Sequence, residues 1–155
     1  MKSETVLKKA AARDAATLAE ISKRAFDSDV ACGAPGLGGP PGYDSPQWQR
    51  DIMRHGDYYK ILLGARIVGG LIVFRKAPRE YELGRIFIDP EVQQQGIGMQ
   101  AVRLMEAAYP LAKRWTLDTP VWNTRTNRFY PKMGYVKTGE QGEDVFYHKT
   151  MSTAA

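Results

Sequence analysis

The stretch from Glu82 to Ala101 narrows the choice of fold more than any other part of this 155-residue chain. A run of β-formers, Arg85 to Ile88, meets Asp89-Pro90, a turn pair that cannot continue a strand ladder. A polar arm follows from Glu91 to Gln95, then Gly96 and Gly98 flank Ile97, and a helical pattern begins. A strand feeding a glycine turn that opens a helix builds an anion site. The N–H groups of the first helical turn have no carbonyl behind them, the macrodipole favours negative charge, and glycine lets a phosphate approach the backbone. The stretch therefore predicts a phosphate-bearing cofactor.

Patterning on either side predicts the remaining elements. Glu4 to Ala11 reads as a first strand, and Asp14 as the N-cap of a helix from Ala15 to about Phe26, with Thr17 and Glu20 as an alternative start. Residues 28–45, rich in glycine and proline, read as a long mobile loop. Ser45-Pro46 predicts a short helix ending near Met53 or His55. Asp57–Leu63, Ile67–Arg75 and Glu80–Ile88 have connections short enough for an antiparallel meander, with Gly69-Gly70 marking a bulge or a close backbone approach. A helix over Met99–Tyr109 leads to a strand at Arg114–Thr119, parallel to Glu80–Ile88 through a right-handed crossover. Asn123–Met133 reads as the last helix, with Pro131 kinking or shortening it and Gly134 ending it. A hairpin across Gly139–Gly142 closes the chain, and the residues after about 150 read as a disordered tail. This is a mixed α/β chain: mostly antiparallel strands with one parallel crossover at the glycine turn.

Composition sets outer limits. With 43% hydrophobic and 25% charged residues, residues 1–150 suit a single globular domain. No apolar run reaches membrane-spanning length, and no signal-peptide core follows the N-terminus. The one cysteine, Cys32, excludes an internal disulfide and makes a reducing cytoplasm the default. The net charge of +5 lies in scattered pairs such as Lys8-Lys9 and Lys113-Arg114, which argues against nucleic acid as a partner. His55 and His148 are isolated, so no metal is expected.

Two cofactors compete for the glycines. Gly96-Ile97-Gly98-Met99-Gln100-Ala101 fits G-x-G-x-x-G/A, and Asp118 stands about twenty residues further on, as in a dinucleotide-binding fingerprint. In that fingerprint the first glycine follows its strand at once, whereas seven residues, Asp89 to Gln95, intervene here. Gln93-x-x-Gly96-x-Gly98 after a strand ending in Asp-Pro resembles instead the coenzyme A pyrophosphate loop of the Gcn5-related N-acetyltransferases. Asn123 to Tyr135 resembles that family's Asn-x-x-Ala-x-x-x-Tyr-x-x-x-Gly-Phe/Tyr segment, with Thr126 in place of alanine. The likeness covers nearly the whole chain.

The resemblance implies a central, mostly antiparallel twisted sheet of about seven strands flanked by about four helices. It implies direct transfer of an acetyl group from acetyl-coenzyme A to a primary amine within a ternary complex, without a metal. The acceptor is expected to be a small-molecule amine, with a protein or peptide amine as the alternative. A non-enzymatic acetyl-coenzyme A sensor and an NAD-type binder are the rivals from other classes, and a homodimer is compatible with the family. An alkyl amine has a pKa of about 10.4, so a proton acceptor is needed. Glu82, fourteen residues before Gly96, stands at the family's glutamate spacing, and simple alternation would put it on the face of Ile86 and Ile88; Glu80 is the reserve. Tyr130 matches the tyrosine that donates to the leaving thiolate, and Asn123 would bond the pantetheine amides. Main-chain N–H groups at Phe87 and Ile88 would face the oxyanion. The implied cofactor grip comprises Ile86, Phe87, Ile88, Gln93, Gln94, Gln95, Gly96, Ile97, Gly98, Met99, Asn123 and Tyr130. Trp48 and Tyr43-Asp44 border the long loop as candidate pocket residues, and Cys32 lacks a basic neighbour in sequence.

Overall fold

The computed structural model describes residues 4–152. In chain order it contains β1 (Thr5–Lys9), α1 (Ala15–Asp27), α2 (Pro46–Ile52), β2 (Asp57–Leu63), β3 (Arg66–Ala77) and β4 (Glu80–Ile88). Then follow α3 (Ile97–Ala108), β5 (Arg114–Pro120), α4 (Thr124–Lys132), β6 (Val136–Gln141) and β7 (Asp144–Thr150). The strands form one seven-stranded sheet in the order β1-β2-β3-β4-β5-β7-β6. Every neighbouring pair is antiparallel except β4–β5. No described helix is long and apolar enough to cross a membrane.

Each face of the sheet carries its own core. On one, α1 places Leu18, Ile21 and Ala25 against Tyr58, Ile72 and Phe87. On the other, Val102 and Met105 of α3 meet Leu71, Leu83, Trp115 and Leu117. Each such buried side chain contributes roughly 1.5–3 kcal/mol. That burial holds α1 although its expected cap is used elsewhere: the Asp14 carboxylate accepts from the Ala11 N–H at 2.8 Å and from Lys60 at 3.0 Å, and so closes the 3-10 turn Ala12–Asp14 that precedes the helix. The alternative start at Thr17 falls inside α1. Ser45 does cap α2, accepting from the Trp48 N–H at 3.0 Å, with Pro46 at the first helical position.

The expected glycine features in β3 are present in both forms. The β2–β3 register shifts opposite Ile61 and Leu62, and a Cβ on Gly69 would lie 2.2 Å from the Phe87 carbonyl oxygen. The 28–45 segment is more ordered locally than its composition suggests: Ser28–Cys32 forms a 3-10 helix and Asp29 is buried. In α4, Pro131 sits in the last turn and the helix ends one residue later, at Lys132. The hairpin strands run further than expected, so the turn lies at Gly142 and Gly139 belongs to β6. Met151 also belongs to the fold, donating its N–H to the Lys113 carbonyl at 2.8 Å; residues 153–155 of the expected tail lie outside the described residues.

The feature that makes the site is a bulge in β4. Leu83 stands opposite Val73 and Arg85 opposite Ile72, which leaves Gly84 as the extra residue. A Cβ at Gly84 would meet the Phe74 ring at 2.3 Å, so any side chain at the bulge would have to displace that ring. An extra residue reverses the alternation of side chains. Tyr81, Leu83, Ile86 and Ile88 thus belong to the α3 core, while Phe87 joins the α1 core. Glu82 consequently lies on the face of Arg85 and Phe87, not on that of Ile86 and Ile88 as simple alternation predicts. Beyond the bulge β4 also leaves β5: the two are paired only at Glu80–Glu82 with Arg114–Thr116.

Candidate active site

Where β4 and β5 part, a cleft of about 1320 Å³ opens through the sheet. The first half of its wall is the turn singled out in the sequence. Gly96 adopts a left-handed conformation (φ 78°) as the N-cap of α3, and Gln94 is left-handed as well (φ 66°). No side chain caps α3, so the first-turn N–H groups of Ile97, Gly98 and Met99 are available to a ligand. Gly96 needs its positive φ, whereas a Cβ on Gly98 would make ordinary 3.7 Å contacts with Phe129. Gln93, Gln94, Gly96, Ile97, Gly98 and Met99 line the cleft; Gln95 is exposed and does not. Gln93 is tied down on both sides, donating to the Ile88 carbonyl at 3.2 Å and accepting from Arg125 at 3.1 Å.

Asp89 fixes the turn to the sheet. Its carboxylate is 1% exposed and accepts from the Glu91 N–H at 3.1 Å, from Arg24 at 2.8 Å and from Arg66 at 3.2 Å. Burial works to raise its pKa, but these donors outweigh it and hold the group below the usual carboxylate value.

Ile86, Phe87 and Ile88 of β4 all border the cleft, but their peptide groups are not equivalent. Ile88 stands opposite Gly69 while the Asp89 N–H donates to the Val68 carbonyl at 2.7 Å. The alternation of an antiparallel ladder then turns the Phe87 peptide groups toward β3 and those of Ile88 toward the cleft. The expected oxyanion donor at Phe87 is therefore committed to the sheet, and Ile88 has the open N–H. On the facing wall Asn123 caps α4, accepting from the Thr126 N–H at 3.0 Å. Its amide nitrogen donates to no described residue. Tyr130 reaches the cleft despite the neighbouring proline; its ring packs on Phe129, Tyr135 and Tyr147, and its hydroxyl bonds to no described residue. Burial pushes its pKa up, so it is a neutral donor at physiological pH.

The acid–base groups fall differently from the spacing argument. Glu82 is absent from the main cleft and lines an adjoining recess of about 260 Å³ with Thr116, Asp118 and Tyr147, where Lys76 stands 3.6 Å away. Glu80 is exposed and lines neither space. Asp118 lines both, at the end of β5 beyond its separation from β4. It faces solvent in the cleft, yet the protein packed around its carboxyl, with the charges of Asp144 and Glu82 added, raises its pKa. Sequence reasoning considered Asp118 only as a ribose ligand. Recognising a second acid there required the position at which β4 and β5 separate.

The other end of the cleft is bounded by the 28–45 segment. Asp29 pairs with Arg125 at 2.8 Å, and the Cys32 carbonyl accepts from Thr124 at 3.1 Å, so the segment is fastened to α4 across the opening. Burial raises the Asp29 pKa, with Arg125 opposing it. Cys32 borders the cleft. The candidate pocket residues Trp48 and Tyr43 do not: the Trp48 ring lies under the Arg85 guanidinium at 4.1 Å, and the Tyr43 hydroxyl donates to Asp27 at 3.0 Å.

A family model described as the acetyltransferase (GNAT) family matches residues 20–135. A peptidyl-lysine N-acetyltransferase of Salmonella typhimurium is 42% identical over 59 residues, which are 38% of this chain and 39% of that protein. The chain spans about two-fifths of the length of the curated relatives it matches. Among solved structures, an acetyltransferase of Thermus thermophilus aligns with a TM-score of 0.82 at 19% identity, covering 97% of this chain and 100% of that one. A PaiA N-acetyltransferase of Thermoplasma acidophilum in complex with coenzyme A aligns with a TM-score of 0.78 at 17% identity, covering 96% and 99%.

Proposed function

Because the chain belongs to the GNAT acetyltransferase family, we propose that it moves an acetyl group from acetyl-coenzyme A directly to a primary amine held in the cleft between β4 and β5. The observation that carries this reading is the convergence on one cleft of an uncapped α3 N-terminus, the Tyr130 hydroxyl and the open edge of β4. In this reading the first-turn amides of α3 and the left-handed Gln94–Gly96 loop hold the pyrophosphate, and Asn123 bonds the pantetheine amides. The Ile88 N–H stabilises the tetrahedral oxyanion, and Tyr130 donates to the departing thiolate. Asp118 and Glu82, side by side across the recess, take the amine proton directly or through water; the raised pKa of Asp118 suits that task.

The acceptor in this reading is a small-molecule amine. The peptidyl lysine named for the Salmonella relative offers the same alkyl-amine nucleophile. Thermal unfolding with coenzyme A and with NAD separates the two cofactors read from the glycines. A ligand at one hundred times its dissociation constant adds about 2.7 kcal/mol of stability. Stabilisation by coenzyme A and not by NAD is expected, and the reverse would overturn the reading. Thiol release over a panel of small amines and lysine peptides identifies the acceptor. Tyr130→Phe and Asp118→Asn should each lower kcat about 100-fold or more while leaving the coenzyme A stabilisation intact. Glu82→Gln should lower it less, since Glu82 lies beside the cleft and not in it. Full activity in all three would show the catalytic assignment to be wrong.

A further inference from the structure

Arg85 has no role in the mechanism above, yet it borders the cleft with its guanidinium only partly satisfied. It follows the Gly84 bulge, which turns its side chain toward α1 and α2. There the guanidinium lies 4.1 Å from the Trp48 ring and 6.0 Å from the Phe26 ring. Its Nη2 donates to the Pro41 carbonyl at 3.2 Å, and its Nη1 is buried without a hydrogen-bond partner. It forms no ion pair with any described residue. Burial brings its pKa down to about 10, with Tyr58 opposing.

A guanidinium presents a planar fork that suits a carboxylate, and an unpaired one away from water is costly. Here one neutral carbonyl oxygen does part of the work of two anionic oxygens. The site around it is otherwise built. The Trp48 ring backs the guanidinium, and the 40–45 turn is held independently by Gln49 donating to the Gly42 carbonyl at 3.1 Å and Tyr43 donating to Asp27. The Pro41 bond is therefore not what holds that turn. Pro41 is exposed, while its neighbour Pro40, together with Phe26, Gly84 and Arg85, borders the cleft.

We propose that Arg85 is the specificity-determining residue for the acceptor, binding a carboxylate that the acceptor carries besides its amine and displacing the Pro41 carbonyl from the fork. Resting on the acetyltransferase reading, this makes the substrate class amino acids and related carboxylated amines. Their amine lies toward Asp118 and their carboxylate toward Arg85, both of which line the cleft.

The test compares amines that differ only in the carboxylate, lysine with 1,5-diaminopentane and phenylalanine with phenethylamine, by acetyl-coenzyme A-dependent thiol release. Wild type should favour the carboxylated member at least 10-fold in kcat/KM. Arg85→Met should abolish that preference through KM, leave kcat and the decarboxylated amines within twofold, and keep the coenzyme A thermal shift. Arg85→Lys, which keeps the charge but not the fork, should fall between the two and serves if the methionine variant does not fold. Calorimetric titration of the carboxylated amines into the coenzyme A complex gives a readout independent of turnover. Equal use of both members by wild type, equal losses on both in Arg85→Met, or no carboxylated amine binding or reacting would each overturn the proposal. Failure of the acetyltransferase reading looks different: no coenzyme A shift, and no thiol release with any amine.

Discussion

Two glycines two residues apart in the cofactor turn do different work. Gly96 is left-handed, so a side chain there is strained whatever the space around it, while Gly98 has room for a methyl group. Gly96→Ala should cost about 1–2 kcal/mol and weaken coenzyme A binding, and Gly98→Ala should be neutral or slightly stabilising; thermal melts with and without coenzyme A read both. Asp118 makes the opposite kind of prediction. Its pKa in the folded state is raised, so the fold favours the protonated acid and stability falls as pH rises from the unfolded-state value through the folded one. Asp118→Asn removes that penalty. It should stabilise the protein at pH 7 by at most ~0.5 kcal/mol, because the group is exposed and screened, while lowering turnover. Urea denaturation paired with the thiol assay would reveal such a trade.

Among the elements, the turn between β4 and α3 depends on one buried carboxylate with three donors. The pKa of Asp89 is lowered, so its contribution is present above the unfolded-state value near 3.9 and is lost as pH falls through the folded-state value. Asp89→Asn keeps an oxygen for the Glu91 N–H but not the charge facing Arg24 and Arg66. A loss of roughly 1–2 kcal/mol is expected at pH 7, with a shallower decline below about pH 4 in urea melts. The positions of these elements were legible in the sequence because the signals were local: Asp57–Leu63 and Glu80–Ile88 match their strands residue for residue, and Ser45-Pro46 opens α2 as read. The Gly84 bulge was not, since it exists only in the pairing of β4 with β3. Missing it placed Glu82 on the wrong face. Asp14 failed for a related reason: Lys60, distant in sequence, competes for the carboxylate that local rules assign to α1.

In the whole molecule, the sheet is two ladders joined along a short seam. Residues up to Ile88 build β1 to β4, and residues from Arg114 build β5 to β7. The α3 helix crosses back to β1, where the Thr5 hydroxyl donates to the Gln100 side chain. The fold was predictable at this scale because short connections dictate antiparallel neighbours and one long crossover dictates a parallel pair. The length of the seam was not, since β4 leaves β5 where its pairing with β3 is bulged, and that position is set by strand pairing and not by a local residue pattern. That seam gives β4 an unusual status. Beyond Glu82 it is an edge strand placed in the middle of a sheet, with one margin hydrogen-bonded to a strand and the other without a strand partner. Amide hydrogen exchange should therefore alternate along it, fast at Ile86 and Ile88 and slow at Phe87. Coenzyme A should slow the first two and leave the third unchanged; uniform protection along the strand would mean that the unpartnered margin is already closed without a ligand.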